Sequence, residues 1–191
     1  MSSVITTILA AALVNNLVFV QLVGVSSLFA FTRRFEAASE WAILSFLIMF
    51  PALLACALTE RLVLSQFGLE FLSLLIFVTI SVSCSHVMLH VLQKHFPLLT
   101  RRHQLAVLLL SSNSAIIGAA LLNSQSLLSI PLLVASCFGA ALGFSLLLIT
   151  FAALRQRVEL ADLPQPMQGA AIDLLSAGIV AMCLLGFAGL V

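Results

Sequence analysis

Charge is what this chain has least of. Asp, Glu, Lys and Arg together make up 8% of its 191 residues, against about a quarter in an ordinary soluble domain, so a soluble globular fold is excluded. Paired cysteines are also missing. Cys56, Cys84, Cys137 and Cys183 stand far apart with no CxxC, which indicates neither a zinc site nor a dithiol redox pair and leaves them as small packing residues. There is no glycine-rich phosphate loop, no Ser/His/Asp arrangement and no basic surface interleaved with aromatics. An isolated soluble-type catalytic site and nucleic-acid binding are therefore not indicated.

What is present is hydrocarbon: 62% of residues are hydrophobic and the mean hydropathy is +1.24. A membrane-spanning helix needs roughly 20 apolar residues. The sparse charges separate six such runs, at about 5–31, 41–60, 71–93, 104–123, 128–154 and 171–190. Little lies between them, so the sequence predicts one polytopic, all-α membrane domain over 1–191. The first run has no basic n-region and exceeds the roughly 7–15 apolar residues of a signal peptide, so it is expected to stay in the mature protein.

The basic residues fall on alternate loops. Arg33, Arg34, Lys94, Arg101, Arg102, Arg155 and Arg157 follow spans one, three and five, while Arg61 alone follows span two. Lys and Arg mark cytoplasmic loops, which predicts both termini outside. Trp41, the single tryptophan, is placed as an interfacial anchor at the inner edge of span two.

Three spans per half means that the halves enter the membrane from opposite sides, the parity of an inverted repeat. Each half opens on a span carrying a polar knot: Gly24-Val-Ser-Ser27 in span one, and Ser111-Ser-Asn-Ser114 followed by Gly118 in span four. A helix in lipid is broken only where protein or a cavity re-satisfies its backbone. Matching Gly/Ser-interrupted spans point to a functional centre at the repeat interface, so spans one and four are expected to break at mid-membrane. Gly24, Asn113 and Gly118 are helix-break candidates, with Asn15 and Asn16 weighed between interhelical hydrogen bonding and pathway lining. Freed carbonyls, hydroxyls and an amide there suit a small cation or ligand.

Other residues leave alternatives open. His86 and His90 share a face of span three and read as polar packing or as half of a metal site that no Cys, Asp or Glu on that helix completes. Asp173, in the first turn of span six, reads as a helix-end charge or as a relay. Gly139-xxx-Gly143 reads as close helix packing. The connector from Arg155 to Gly169, with Pro164 and Pro166, is a docking surface or a solvated turn.

Taken in order, Leu13-Val-Asn-Asn-Leu-Val-Phe-Val-Gln-Leu-Val-Gly24, Ser112-Asn-Ser-Ala-Ile-Ile-Gly118, Gly143-Phe-Ser, Phe151-Ala-Ala-Leu-Arg-Gln-Arg157, Asp162-Leu-Pro-Gln-Pro-Met-Gln-Gly169 and Gly186-Phe-Ala-Gly-Leu resemble one family. It is the six-span membrane components of Rnf and sodium-translocating NADH:quinone reductase (Nqr) complexes, on the branch of the A-type Rnf component and its E-type Nqr counterpart. The resemblance covers the whole chain. It implies a multi-pass bacterial inner-membrane protein with periplasmic termini. Such a component is not catalytic alone, and it pairs with a homologous six-span subunit of opposite topology and with other Rnf-type subunits. Electron transfer in such complexes is coupled to Na⁺ or H⁺ movement.

The resemblance also implies a [2Fe–2S] cluster shared by the two homologous subunits, each giving one cysteine per broken helix. Here those positions are Ser26 and Ser114, and Leu89 stands where the family tends to carry a glutamate. Thiolates suit iron–sulfur clusters and aliphatic hydroxyls do not, so the chain is not expected to ligate the cluster. A cofactor-less structural or assembly paralogue and a small independent transporter are the rival readings.

Overall fold

The computed structural model describes residues 2–14, 16, 24–25, 28–29, 32, 35–95, 114–124, 126, 128–160 and 169–189. All regular structure among them is helical. Helix α1 (Ser2–Leu9) widens into a π-helical turn over Ala10–Val14. Helix α2 (Phe35–Thr59) continues through a second π-helical turn, Glu60–Leu64, into Ser65–Phe67. After a 3₁₀ turn at Glu70–Leu72 come α3 (Ser73–His95), α4 (Ser114–Ser124), α5 (Ile130–Glu159) and α6 (Ala170–Leu185). Among the described residues, six apolar helical segments thus follow the six apolar runs. Three of them, 37–67, 73–94 and 130–158, are long and apolar enough to cross a membrane, and α1 with its π turn, α4 and α6 are shorter.

Helix α2 with its continuation outruns the apolar stretch that announces it. Helix α2 starts six residues before its apolar run and ends seven after it, because Glu and Arg are good helix formers and hydropathy marks hydrocarbon thickness, not hydrogen bonding. Trp41 therefore lies more than a turn inside α2. It is buried, 5% exposed, in the packed core, and is not an outward-facing interfacial anchor. At α5 the entry follows local rules. Ser129 is extended, and Pro131 occupies the first turn, where its missing N–H leaves no bond unmade.

Helix α5 is the central post. It packs against α2 in the largest interface and against α1, and α2 also carries α3. The common core holds Ile48, Met49, Leu53 and Cys56 of α2 with Cys137, Ala141, Phe144 and Leu148 of α5, all nearly inaccessible. Phe138 lies edge-on to both Phe46 and Phe50, at centroid distances of 5.4 and 5.7 Å, a favoured aromatic geometry.

On its other side α5 presents Gly139 and Gly143, one above the other. A Cβ on Gly139 would sit 2.6 Å from the Ile8 carbonyl oxygen, and one on Gly143 would sit 2.5 Å from that of Ala12. Backbone here rests on backbone, the close approach that small-xxx-small spacing permits in membrane helices. The packing expected from this pair is thus intramolecular, and its target is the first span.

Candidate functional site

The two polar knots meet. The Gly24 N–H donates to Ser114 Oγ at 3.1 Å, across 90 residues of sequence. Gly24 is buried and takes φ 81°, a left-handed conformation that only glycine enters without strain. Its carbonyl then accepts from the Leu28 N–H at 3.1 Å, the i→i+4 step of a new helical turn. Ser114 is the first described residue of α4 and is exposed.

The described residues before and after Gly24 make contacts of their own. Before it, buried Asn16 donates from Nδ2 to the Ala12 carbonyl at 2.8 Å, occupying an acceptor at the end of the π-helical turn. After it, Leu28 is fully buried and Phe29 lies edge-on to Phe151 of α5 at 5.6 Å. Thr32 bonds back to the Leu28 carbonyl. Gly118 lies one turn beyond Ser114 in α4, half-buried. Asn15, Ser26 and Asn113 lie outside the described residues.

Arg155, at one end of α5, ties three segments. Its guanidinium reaches Asp173 Oδ2 of α6 at 2.6 Å and the Phe29 carbonyl at 3.2 Å. Both charged side chains are about 15% exposed, so the pair is largely withdrawn from water. Asp173 keeps its place in the first turn of α6, where a negative charge suits the helix dipole, and gains a specific cation there. In the sequence Arg155 registers only as a loop charge. Proximity to Asp173, 18 residues on, has no periodic signature.

A second polar cluster joins α4 to α5 at their other ends. Asn123 Oδ1 accepts from Ser136 at 2.9 Å, and its Nδ2 donates to Cys137 Sγ at 3.4 Å. The Asn123 carbonyl accepts from the Ser126 hydroxyl at 2.7 Å. This cluster walls a cavity of about 350 Å³ between α1, α4 and α5, with Thr7, Ala11 and Ala140 on the facing sides. Arg61 donates to the Leu128 carbonyl beside it. Nothing in the sequence marks Asn123, because a lone amide at a span end carries no pattern.

His86 and His90 are both exposed on α3. Cys56 and Cys137 are buried, Cys84 is half-buried and Cys183 is exposed, all as free thiols. Among the described residues no three His, Cys, Asp or Glu side chains are grouped to hold a metal ion.

Over residues 4–191 the sequence matches the family described as Rnf-Nqr subunit, membrane protein. It is 35% identical over 187 residues to the A-type subunit of the ion-translocating oxidoreductase complex of Actinobacillus pleuropneumoniae serotype 5b, covering 98% of this chain and 97% of that one. The proteins of the same name from Alkalilimnicola ehrlichii and Azotobacter vinelandii are each 34% identical, over 191 and 193 aligned residues, covering 100% of this chain and 99% of theirs.

Proposed function

We propose, since this chain belongs to the Rnf-Nqr family of membrane proteins, that it acts as the A-type membrane subunit of an ion-translocating oxidoreductase complex. The observation that carries this reading is the end-to-end match to relatives named as that subunit, which covers nearly all of both chains. It is a single membrane domain over 1–191, in the bacterial inner membrane with both termini periplasmic. Seven basic residues at or beyond the span ends of one side, against one on the other, support that orientation.

In this reading the chain is two inverted three-helix repeats whose first and fourth spans break near mid-membrane. Supporting it are the left-handed Gly24, the helical turn that follows from its carbonyl, and the hydrogen bond from the Gly24 N–H to Ser114 Oγ. Exposed Ser114 is then available to a homologous six-span subunit of opposite topology.

The residues in place do not fit a thiolate-held [2Fe–2S] cluster. Ser114 presents a hydroxyl already engaged with Gly24, and Cys56, Cys137 and Cys84 lie inside the helix seams. An aliphatic hydroxyl gives up its proton far less readily than a thiol of pKa about 8.5, so no electron-transfer step is assigned to this chain. The same hydroxyl favours a second reading, a structural or assembly paralogue that keeps the fold and the partners without the cofactor.

Purification of the tagged chain from native membranes tests the assignment. Co-purification of the other complex subunits is the expected result, and a chain that emerges alone overturns it. Iron and sulfide analysis separates the two readings. Wild-type complex is expected to lack a cluster held by this chain, and Ser26→Cys with Ser114→Cys to gain [2Fe–2S] absorbance beside a cysteine-bearing partner. Full absorbance in the wild type would show that serine or another residue of this chain serves as ligand.

A further inference from the structure

Helix α3 turns a polar stripe away from its own protein. Thr79, Ser83, His86, His90 and Lys94 are all exposed. At 3.6 residues per turn they fall within about 80° of the helix circumference. The opposite face is the packed one, with Phe77, Ser81, Ser85, Leu89 and Leu92 all buried. Flanking the stripe are exposed Val82 and Val87.

This helix is long and apolar enough to cross a membrane, which puts the stripe at membrane depth. At about 1.5 Å per residue, His90 lies roughly 6 Å and His86 roughly 12 Å along the axis from Lys94, leaving His86 near the middle of the span. Lys94 can extend its ammonium to the interface. Thr79 satisfies its hydroxyl on the Leu75 carbonyl at 2.9 Å, a bond available to hydroxyls on any helix. An imidazole has no such refuge, since it carries a donor and an acceptor on opposite sides of the ring. Polar side chains within a membrane face protein or a water-filled cavity, not lipid. The exposed face of α6 is different in kind: Leu174, Leu175, Ile179, Met182 and Leu185 make a surface that acyl chains cover without penalty.

We propose that the Thr79–Ser83–His86–His90 face of α3 is the docking surface for a transmembrane helix of a different subunit, one offering hydrogen-bonding side chains at the depth of the two histidines. The inference rests on the reading of this chain as a subunit of a membrane complex. It adds which face meets a partner, and through which groups. Exposed valines flanking the stripe supply the apolar margin that lets a second helix lie along it, and the histidines set its register.

The test uses the full chain in its native membrane. A photo-reactive phenylalanine is placed at position 83 or 82 on α3, and at 175 or 179 on α6 for comparison. Adducts at 83 and 82 are expected to map to a transmembrane segment of another subunit, and those at 175 and 179 to lipid. Adducts from α3 only with lipid, with this chain itself, or with a second copy of it overturn the proposal. The pair His86→Leu with His90→Leu, which suits lipid better than the wild type and so still inserts, is expected to lower partner retention in detergent about sevenfold, the size of two average interhelical hydrogen bonds in a membrane. Unchanged retention overturns the proposal. If the wild-type chain brings down no other membrane subunit, the complex reading itself fails. If subunits come down but no α3 adduct reaches them, only the docking surface fails.

Discussion

Helices α5 and α3 look alike on a hydropathy plot and play opposite parts. Both are long and apolar enough to cross a membrane, yet 61% of the apolar window of α5 is buried inside the protein against 22% for α3. Helix α5 uses Gly139 and Gly143 for backbone contact with the first span and Phe138 for contact with α2. Helix α3 gives one face, with Ser81 and Ser85, to the interior and keeps Thr79, Ser83 and its imidazoles outside. The difference lies in which residue types share a face, because apolarity alone only says that a segment can sit in lipid. A glycine pair aimed at a neighbouring carbonyl marks a sealed interface, and a polar stripe aimed at hydrocarbon marks an unfinished one.

The contrast breaks most visibly at Gly143. Gly143→Leu places a side chain where even a Cβ would lie 2.5 Å from the Ala12 carbonyl oxygen, and backbone cannot step aside as a side chain can. A loss of about 3 kcal/mol or more is expected from such overpacking, read as a lower midpoint of unfolding in detergent. At the end of the same helix, Arg155→Ala leaves the Asp173 carboxylate without its guanidinium in a largely withdrawn position. A charge-assisted bond of this kind is worth about 1.5–3 kcal/mol, and the same unfolding assay should show a loss of that order. Asn123→Ala removes the acceptor of Ser136 and the donor to Cys137. It is expected to cost about 1 kcal/mol and to raise the accessibility of Cys137 to a small thiol reagent.

The smallest effect belongs to α3 and sharpens the comparison. Ser83→Val should change the stability of the isolated subunit by no more than about 0.5 kcal/mol, as surface substitutions do. A large destabilisation by Ser83→Val would mean that this face is already buried within the chain.

Much of the architecture is legible in the sequence because it is written in residue types. Among the described residues each of the six apolar runs carries a helical segment, and the paired knots announce the meeting of Gly24 with Ser114, since glycine and serine are what a loosened backbone in lipid requires. The i, i+4 spacing of His86 and His90 shows that they share a face. It does not say whether that face turns inward or outward, because that depends on which side α2 occupies. Gly139-xxx-Gly143 is readable as a contact, with α1 as its partner readable only in three dimensions. Arg155 with Asp173, and Asn123 with Ser136, escape for the same reason: each is a tertiary pairing of residues whose local context looks like a span end. Trp41 escapes because helix and hydrocarbon do not start at the same residue.

The bond between Gly24 and Ser114 also has a bearing on how the protein is made. Ninety residues separate donor from acceptor, and at roughly 5–20 residues per second they emerge from the ribosome roughly 5–20 s apart. The first span is delivered to the membrane before Ser114 exists, so this hydrogen bond closes only after the second half has begun to insert. Fragments ending after the third span lack that closure and leave the left-handed turn at Gly24 unsupported by α4. The first half makes this contact only once the fourth span is in place.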